Sequence, residues 1–192
     1  IEHLASARAV PGLNVFRPAD ANEVAEAYRS ALLNPKKPAV MVLSRQNLPT
    51  LDRTDLGPAN GVAKGAYILK EASGGEAECI LIGTGSEIPL CLDAADILDS
   101  EGIRTRVVSL PCWELFAEQD DAYREHVLPA NIPARVACEA ASGFGWERWL
   151  GQKGTFIGMN GFGASGPAKK LFEHFGITTQ AVVAAARDLV RK

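Results

Sequence analysis

The chemistry that this sequence could perform is concentrated at Arg45, which follows the apolar run Ala39 to Ser44 in the stretch PAVMVLSRQNLP. The run follows a proline, contains β-branched residues and predicts a buried parallel strand. An arginine at the end of such a strand is costly to desolvate unless an anion or a carboxylate meets its guanidinium group. The residues alone leave two interpretations equally open: an ion pair with a nearby acidic side chain, and binding of an anionic substrate.

A second candidate is the glycine-rich turn of the stretch ILIGTGSEI, which connects a predicted strand to a predicted helix and consists of Gly83, Thr84, Gly85 and Ser86. Ser86 is a candidate N-cap of that helix. Backbone N–H groups and a helix dipole at such a turn could bind an anion. Ile88 stands where the dinucleotide-binding fingerprint needs a small residue, so the turn is not that motif, and a purely structural turn is the favoured alternative.

The other reactive side chains form no recognisable catalytic or metal-binding set. Glu114, beside Trp113, has no base, nucleophile or orienting partner that the sequence identifies, and the tryptophan favours core or interface packing. The three histidines lack metal-ligand spacing. The remaining candidates are four widely spaced cysteines in apolar contexts, which are typical of reduced core thiols in a cytoplasmic protein: Cys79, Cys91, Cys112 and Cys138.

Alternating helices and strands must position these residues. Asp20 and Glu23 have capping-box spacing and predict a helix over residues 20–34, with an apolar face of Val24, Ala27, Tyr28, Ala31 and Leu32. With the strand that ends at Ser44, this helix makes an incomplete α/β segment over residues 1–52. A polar stretch without sustained period follows and predicts a linker over residues 53–65.

A second unit is predicted over residues 66–192. The apolar runs AYILK, ECILIG, RTRVVSL, ARVACEA and TFIGM alternate with helical patterns, which predicts an α/β fold with a mostly parallel, helix-covered sheet. The stretches GFGWERWLG and GMNGFGASGP follow the last two of these strands, and their aromatic residues and glycines favour packing or a subunit contact over ligand binding.

Composition narrows the class of partner. The chain has 192 residues, 47% of them hydrophobic, and a net charge of -3 without a basic block, so neither nucleic acid nor an acidic membrane is an expected partner. No transmembrane run or signal-peptide pattern is present. The chain begins at Ile1 on an apolar periodic segment without a helix cap, which predicts a fragment cut inside a fold.

Taken in order, several strings resemble the C-terminal part of transketolase over essentially the whole chain. They are LSRQNLP, GAYIL, GTGSEI, VVSLPCWELFAEQDDAYREHVLP, RVACEA and IGMNGFGASGPAKKLFEHFGITTQAVVAAARDLV. The resemblance implies that residues 1–52 are the tail of a pyrimidine-binding domain and that residues 66–192 are the transketolase C-terminal domain.

The resemblance also implies a function. Transketolases transfer a two-carbon ketol unit from a ketose phosphate to an aldose phosphate in the pentose phosphate pathway. They use thiamine diphosphate and a divalent cation, Mg or Ca, and work as homodimers. The family's residues for cofactor, metal and catalysis belong upstream of Ile1, and His3 is not the family's substrate-binding histidine.

Only Arg45 matches a functional position of the family, where the arginine of a Ser-Arg-Gln string binds the sugar phosphate. This fragment is therefore expected to be inactive, to bind no cofactor or metal and to serve folding and dimer contacts. The alternative is a stand-alone or split-subunit regulatory or assembly module that binds an anionic metabolite at the turn from Gly83 to Ser86.

Overall fold

The computed structural model describes residues 1–191 and contains two sheets. The first sheet pairs strand β1 (Asn14–Phe16) in parallel with β2 (Ala39–Met41). Helices α1 (His3–Arg8) and α2 (Ala21–Leu33) accompany it. None of the helices within residues 1–191 is long and apolar enough to cross a membrane.

Strand β2 is shorter and less buried than the sequence predicts. It ends at Met41 rather than Ser44, and Val40 and Leu43 are 38% and 50% exposed. β2 pairs only with β1, so its other edge and part of its faces have no cover from the described residues. An apolar run alone does not reveal how many neighbours a strand has.

Helix α2 begins as predicted but buries a different face. The Asp20 side chain caps it by accepting a hydrogen bond from the Glu23 N–H at 2.9 Å. Glu23 and Ala27 are fully buried, whereas Tyr28 and Leu32 are 47% and 78% exposed. The predicted apolar face is therefore wrong for Tyr28 and Leu32, because the helix turns a carboxylate toward the interior.

The second sheet has the strand order β3-β5-β4-β6-β7 and confirms the predicted mostly parallel, helix-covered α/β fold. Its strands are β3 (Tyr67–Lys70), β4 (Cys79–Gly83), β5 (Thr105–Ser109), β6 (Arg135–Ser142) and β7 (Thr155–Met159). Only β3 runs antiparallel to its neighbour, and all five correspond to the apolar runs of the sequence.

Helices cover both faces of this sheet. The helices are α3 (Ile88–Ser100), α4 (Trp113–Ala117), α5 (Asp121–Val127), α6 (Glu147–Leu150), α7 (Ala168–His174) and α8 (Thr179–Val190). One face buries Leu81 and Val107 against α3 and α8. The other buries Ile80 and Ile82 with Trp113, Trp146 and Trp149. Alternate strand residues thus enter two separate cores.

All four cysteines are buried and form no disulfide, in agreement with the expected core thiols. Burial raises the pKa of the Cys79 thiol to about 12. These thiols therefore stay protonated at neutral pH and act as small apolar side chains.

The stretch predicted as a linker carries a 3₁₀ helix over Ala59–Lys64 and is tied to both sheets. Arg53 donates to the Gly57 carbonyl at 2.9 Å, to the Tyr67 hydroxyl at 2.8 Å and to the Asp20 carboxylate at 3.1 Å. These bonds fix the route of the chain between the two sheets. The domain boundaries at residues 52 and 66 stay a prediction.

Candidate functional site

Arg45 lies in an irregular segment four residues beyond the end of β2. The segment is held at its start by the Val42 N–H, which donates to the Phe16 carbonyl at 2.8 Å and so extends the pairing with β1. Arg45 is exposed and, among residues 1–191, its side chain makes no hydrogen bond or ion pair within the chain. Its guanidinium group is therefore available to an external ligand.

The Arg45 side chain borders an open cavity of about 880 Å³ between the first segment and the second unit. The other lining residues are Gln46, Phe162, Gly163, Ala164, Ser165, Gly166, Ala168, Leu171 and Phe172. No acidic side chain lines the cavity within the described part of the chain. Of the two interpretations of Arg45, the ion pair with a neighbouring carboxylate has no partner here, which favours an anionic ligand.

A different arginine fulfils the expectation of a charged residue at the end of a buried strand. Arg17 follows β1, whose three residues are all buried, and is itself only 7% exposed. The pattern NVFRP contained this signal, since an apolar triplet precedes an arginine and a proline. Three residues are too few to predict a strand from sequence, so the position was missed.

Arg17 enters the crevice at the carboxyl ends of β4 and β6. β5, which follows β4 in the chain, lies on one side of β4, and β6 lies on its other side. The strand order therefore reverses between β4 and β6, and open α/β sheets bind ligands at such a topological switch point. The parallel register pairs Gly83 with Cys138, which brings the next residues, Thr84 and Glu139, side by side. Thr84 donates to Glu139 at 2.6 Å.

The guanidinium group of Arg17 fills the glycine-rich turn. It donates to the Thr84 carbonyl at 2.6 Å, to the Thr84 hydroxyl at 2.7 Å, to the Glu87 carboxylate and to the Ser86 hydroxyl at 3.3 Å. The Gly85 N–H donates to the Arg17 carbonyl at 3.0 Å. A cation and its carboxylate therefore occupy the turn, which favours a structural role, and anion binding there stays a prediction.

Ser86 does not cap the helix that follows. A 3₁₀ turn covers Gly85–Glu87, α3 begins at Ile88, and no side chain caps it. The Ser86 hydroxyl instead donates to Glu87 at 2.6 Å. The predicted N-cap is wrong because this hydroxyl belongs to the ion-pair network around Arg17.

A second arginine of the first segment enters the same crevice. Arg8 donates to both oxygens of Glu139, at 2.8 and 2.7 Å, and lies over the ring of Trp113 at 3.8 Å. Glu139 also accepts the Trp146 indole N–H at 3.0 Å and is fully buried. Sequence reasoning missed Arg8 and Glu139, because their positions are 131 residues apart in the chain and no local pattern connects them.

The electrostatics of Glu139 follow from these contacts. Burial disfavours its charged form, but the charges of Arg8 and Arg17 and the bond from Thr84 outweigh burial and lower its pKa to about 2. Burial also opposes the charge of Arg17, and the carboxylates of Glu87 and Glu139 raise its pKa on balance. Glu139 and Arg17 are therefore both ionised at neutral pH, and each charge stabilises the other.

The remaining candidates are structural in this chain. Glu114 accepts the Val15 N–H at 3.0 Å. Trp113 is buried, which agrees with the packing interpretation of the tryptophan. Trp146 and Trp149 are also core residues. Phe144 and Phe162, by contrast, are 75% and 89% exposed, so the two aromatic stretches divide between the core and the surface.

The described residues offer no group of three metal-ligating side chains. A divalent cation with a diphosphate needs several oxygen ligands on converging elements. Residues 1–191 thus do not fit the diphosphate and metal half of thiamine diphosphate, and no step through that group is assigned to them.

Two family profiles match the chain. The profile described as the transketolase-like TK C-terminal domain matches residues 65–178, and the one described as the transketolase pyrimidine-binding domain matches residues 1–50. The curated relative Transketolase 7 of Craterostigma plantagineum is 53% identical over 192 residues, which cover 98% of this chain and 28% of the relative. The chain spans about 25–36% of the length of the curated relatives it matches.

Solved structures agree with these matches. A transketolase from Leishmania mexicana superposes with a TM-score of 0.91 and 41% identity over all of this chain and 27% of that one. A Pichia stipitis transketolase, solved in complex with sedoheptulose-7-phosphate, superposes with a TM-score of 0.89 and 38% identity over the same shares of the two chains.

Proposed function

Because this chain belongs to the transketolase family, we propose that it forms the C-terminal portion of an enzyme that transfers a two-carbon ketol unit from a ketose phosphate to an aldose phosphate. Arg45 binds the phosphate end of the sugar substrate. The observation that carries this role is the exposed guanidinium group of Arg45 beside a cavity that no carboxylate lines in the described chain.

The chemistry of the guanidinium group suits this role. Its planar fork can donate two parallel N–H···O bonds to phosphate, which matches the spacing of the phosphate oxygens. Phosphate is remote from the bond that breaks in ketol transfer, so Arg45 acts by orienting the substrate rather than by proton transfer. The Pichia stipitis relative solved with a sugar phosphate supports this class of substrate.

The cofactor belongs to the complete enzyme. The match to a pyrimidine-binding domain supports thiamine diphosphate, with a divalent cation, as the group that carries the two-carbon unit. We propose that this chain contributes substrate positioning and scaffold, and that the ligands of the diphosphate and the metal lie in other parts of the complete enzyme. By itself the chain is inactive.

The proposal extends to assembly and location. The complete enzyme is a homodimer in the cytoplasm, and the exposed Phe144 is a candidate for the subunit contact. The alternative, a separate module that captures an anionic metabolite at Gly83 to Ser86, is less favoured. Arg17 already fills that turn, and two carboxylates lie beside it.

Replacing Arg45 by alanine in the complete enzyme tests the phosphate role. A charge-assisted contact to phosphate contributes about 1.5 to 3 kcal/mol, so kcat/KM for phosphorylated sugars should fall about 10- to 150-fold. Activity on unphosphorylated sugars and affinity for the cofactor should change little. Arg45→Lys should recover part of the loss, because a point charge replaces a planar fork.

Arg191→Ala is the matched control, since it removes one exposed positive charge that does not line the cavity. This variant should keep the activity of the parent on both classes of sugar. Equal losses on phosphorylated and unphosphorylated sugars in Arg45→Ala would show that Arg45 has a structural role and would end the phosphate assignment.

A further inference from the structure

We infer that the crevice at the carboxyl ends of β4 and β6 is a receptor site for alkylguanidinium groups, occupied in this chain by Arg8 and Arg17, and that it holds the pair of strands β1 and β2, after which the Arg45 segment follows. The ligand of the second sheet is then the first segment of the same chain rather than a metabolite. This inference does not depend on what Arg45 binds.

The crevice presents what guanidinium groups need. Glu139 faces Arg8 with both carboxylate oxygens, and the Thr84 carbonyl, the Thr84 hydroxyl and Glu87 surround one end of Arg17. Both glutamates are fully buried and the two arginine side chains are 5% and 9% exposed. Burying an ionised carboxylate costs free energy unless a cation with several hydrogen-bond donors pairs with it. A guanidinium group has five N–H donors.

The acceptors are themselves fixed by the second unit. The Ala140 N–H donates to Glu87 at 3.0 Å, and the Trp146 indole holds Glu139. The ring of Trp113 adds a flat surface on which the Arg8 guanidinium group stacks at 3.8 Å. A planar cation suits this arrangement, whereas an ammonium group would leave acceptors and the stacking surface unused.

The backbone of Arg17 connects the crevice to the pair of strands β1 and β2. Its N–H donates to the Pro111 carbonyl at 2.8 Å, and its carbonyl accepts from Gly85. The preceding residue, Phe16, accepts the Val42 N–H, three positions before Arg45. The end of β1 is thus bonded to the second unit. The same end of β1 is bonded to Val42, which links it to the segment that contains Arg45.

Chemical rescue of Arg17→Ala tests the receptor. Alanine keeps the β-carbon, so N-ethylguanidinium has the atoms that the substitution removes. A neighbouring cavity of about 330 Å³, lined by Arg17 and Ser86 among others, gives a small molecule access. Hydrogen exchange of the 192-residue chain is measured with and without about 10 mM N-ethylguanidinium, with ethylammonium as the reference cation.

In Arg17→Ala, exchange over residues 14–16 and 39–42 should quicken about tenfold or more, since one charge-assisted network is lost. Exchange in β4 should change less. N-ethylguanidinium should restore much of the protection and ethylammonium should not. Arg187→Ala is the control: it breaks an exposed ion pair with Glu101 within the second unit and should leave residues 14–16 and 39–42 unchanged.

Glu87→Gln provides a second variant that keeps the shape of the site if Arg17→Ala does not fold. It should speed exchange in the same two strands more than it speeds exchange in β4. The inference is overturned if N-ethylguanidinium protects Arg17→Ala no more than ethylammonium does. It is also overturned if Glu87→Gln speeds exchange in β4 as much as in β1 and β2.

Discussion

The guanidinium group of Arg17 binds the carboxylate of Glu87, although both side chains are buried and their positions are 70 residues apart in the chain. One belongs to the segment that matches a pyrimidine-binding domain and the other to the transketolase C-terminal domain. The two matched regions therefore share a buried ion pair, and the same crevice holds a second one between Arg8 and Glu139.

Glu139→Gln should destabilise the chain at neutral pH and flatten its acid unfolding. The pKa of Glu139 is lowered from 4.5 to about 2, so its stabilisation is present above pH 4.5 and is lost as the pH falls toward 2. This pKa shift corresponds to about 3 kcal/mol in the free energy of unfolding. Urea unfolding at pH 7 and at pH 3 measures it. A variant whose stability falls between these pH values as steeply as that of the parent would contradict the assignment.

Glu23→Gln should behave differently, although Glu23 is equally buried. Burial raises the pKa of Glu23 despite hydrogen bonds from Ser109, Tyr67 and the Ala19 N–H. A raised pKa means that the charge opposes folding, so stability from this group is present at low pH and is lost as the pH rises through the folded pKa. The neutral amide should therefore cost only about 1 kcal/mol at pH 7. A loss as large as that of Glu139→Gln in the same urea experiment would refute this.

Gly85→Ala should displace Arg17. Gly85 has a φ of +52°, and an added β-carbon would lie 2.7 Å from Arg17 Nη1 and 2.8 Å from its Cζ. Gly102→Ala is the control, because its φ is +83° and nothing lies within 4 Å of the added carbon. The control should cost about 1 to 2 kcal/mol of backbone strain. Gly85→Ala should cost at least about 2 kcal/mol more, since a buried ion pair is disturbed. Equal unfolding midpoints of the two variants would show that Arg17 can move away freely.

The isolated chain should not bind thiamine diphosphate with magnesium. Residues 1–191 hold no group of three metal-ligating side chains, and the diphosphate needs both metal and oxygen ligands. Calorimetric titration should show no binding tighter than about 10 μM, or about -7 kcal/mol. The complete enzyme titrated in parallel is the positive control. Tighter binding by the isolated chain would place part of the cofactor site within these residues.

The sequence predicts the second sheet because each of its strands falls within a mainly apolar run. It did not reach β1, since NVF is too short to show a period. It placed Tyr28 and Leu32 in the interior because hydrophobic spacing on a helix does not foresee that Glu23 will be buried instead. No sequence pattern predicts the roles of Arg8 and Arg17, because their partners are distant in the chain and only the fold brings them together.

The same contacts bear on whether residues 66–192 can fold without the first segment. The sequence predicts that this part folds alone and that residues 1–47 are less protected. Without residues 1–17, Glu139 and Glu87 would lose their arginine partners in a buried site, which is strongly destabilising. Autonomous folding of residues 66–192 stays a prediction. The two unpaired carboxylates should make the isolated part less stable than it is within the whole chain.

The anchoring of Arg17 between Pro111 and Gly85 sets a rule for building chimeric transketolases. Residues 53–65 lie at the junction of the two matched family regions and suggest a crossover point. A crossover there would nevertheless pair Arg8 and Arg17 of one parent with the two glutamates of the other. Hybrids whose parents differ at any of these four positions should express poorly. A crossover placed upstream of residue 8 would keep the whole set of partners within a single parent.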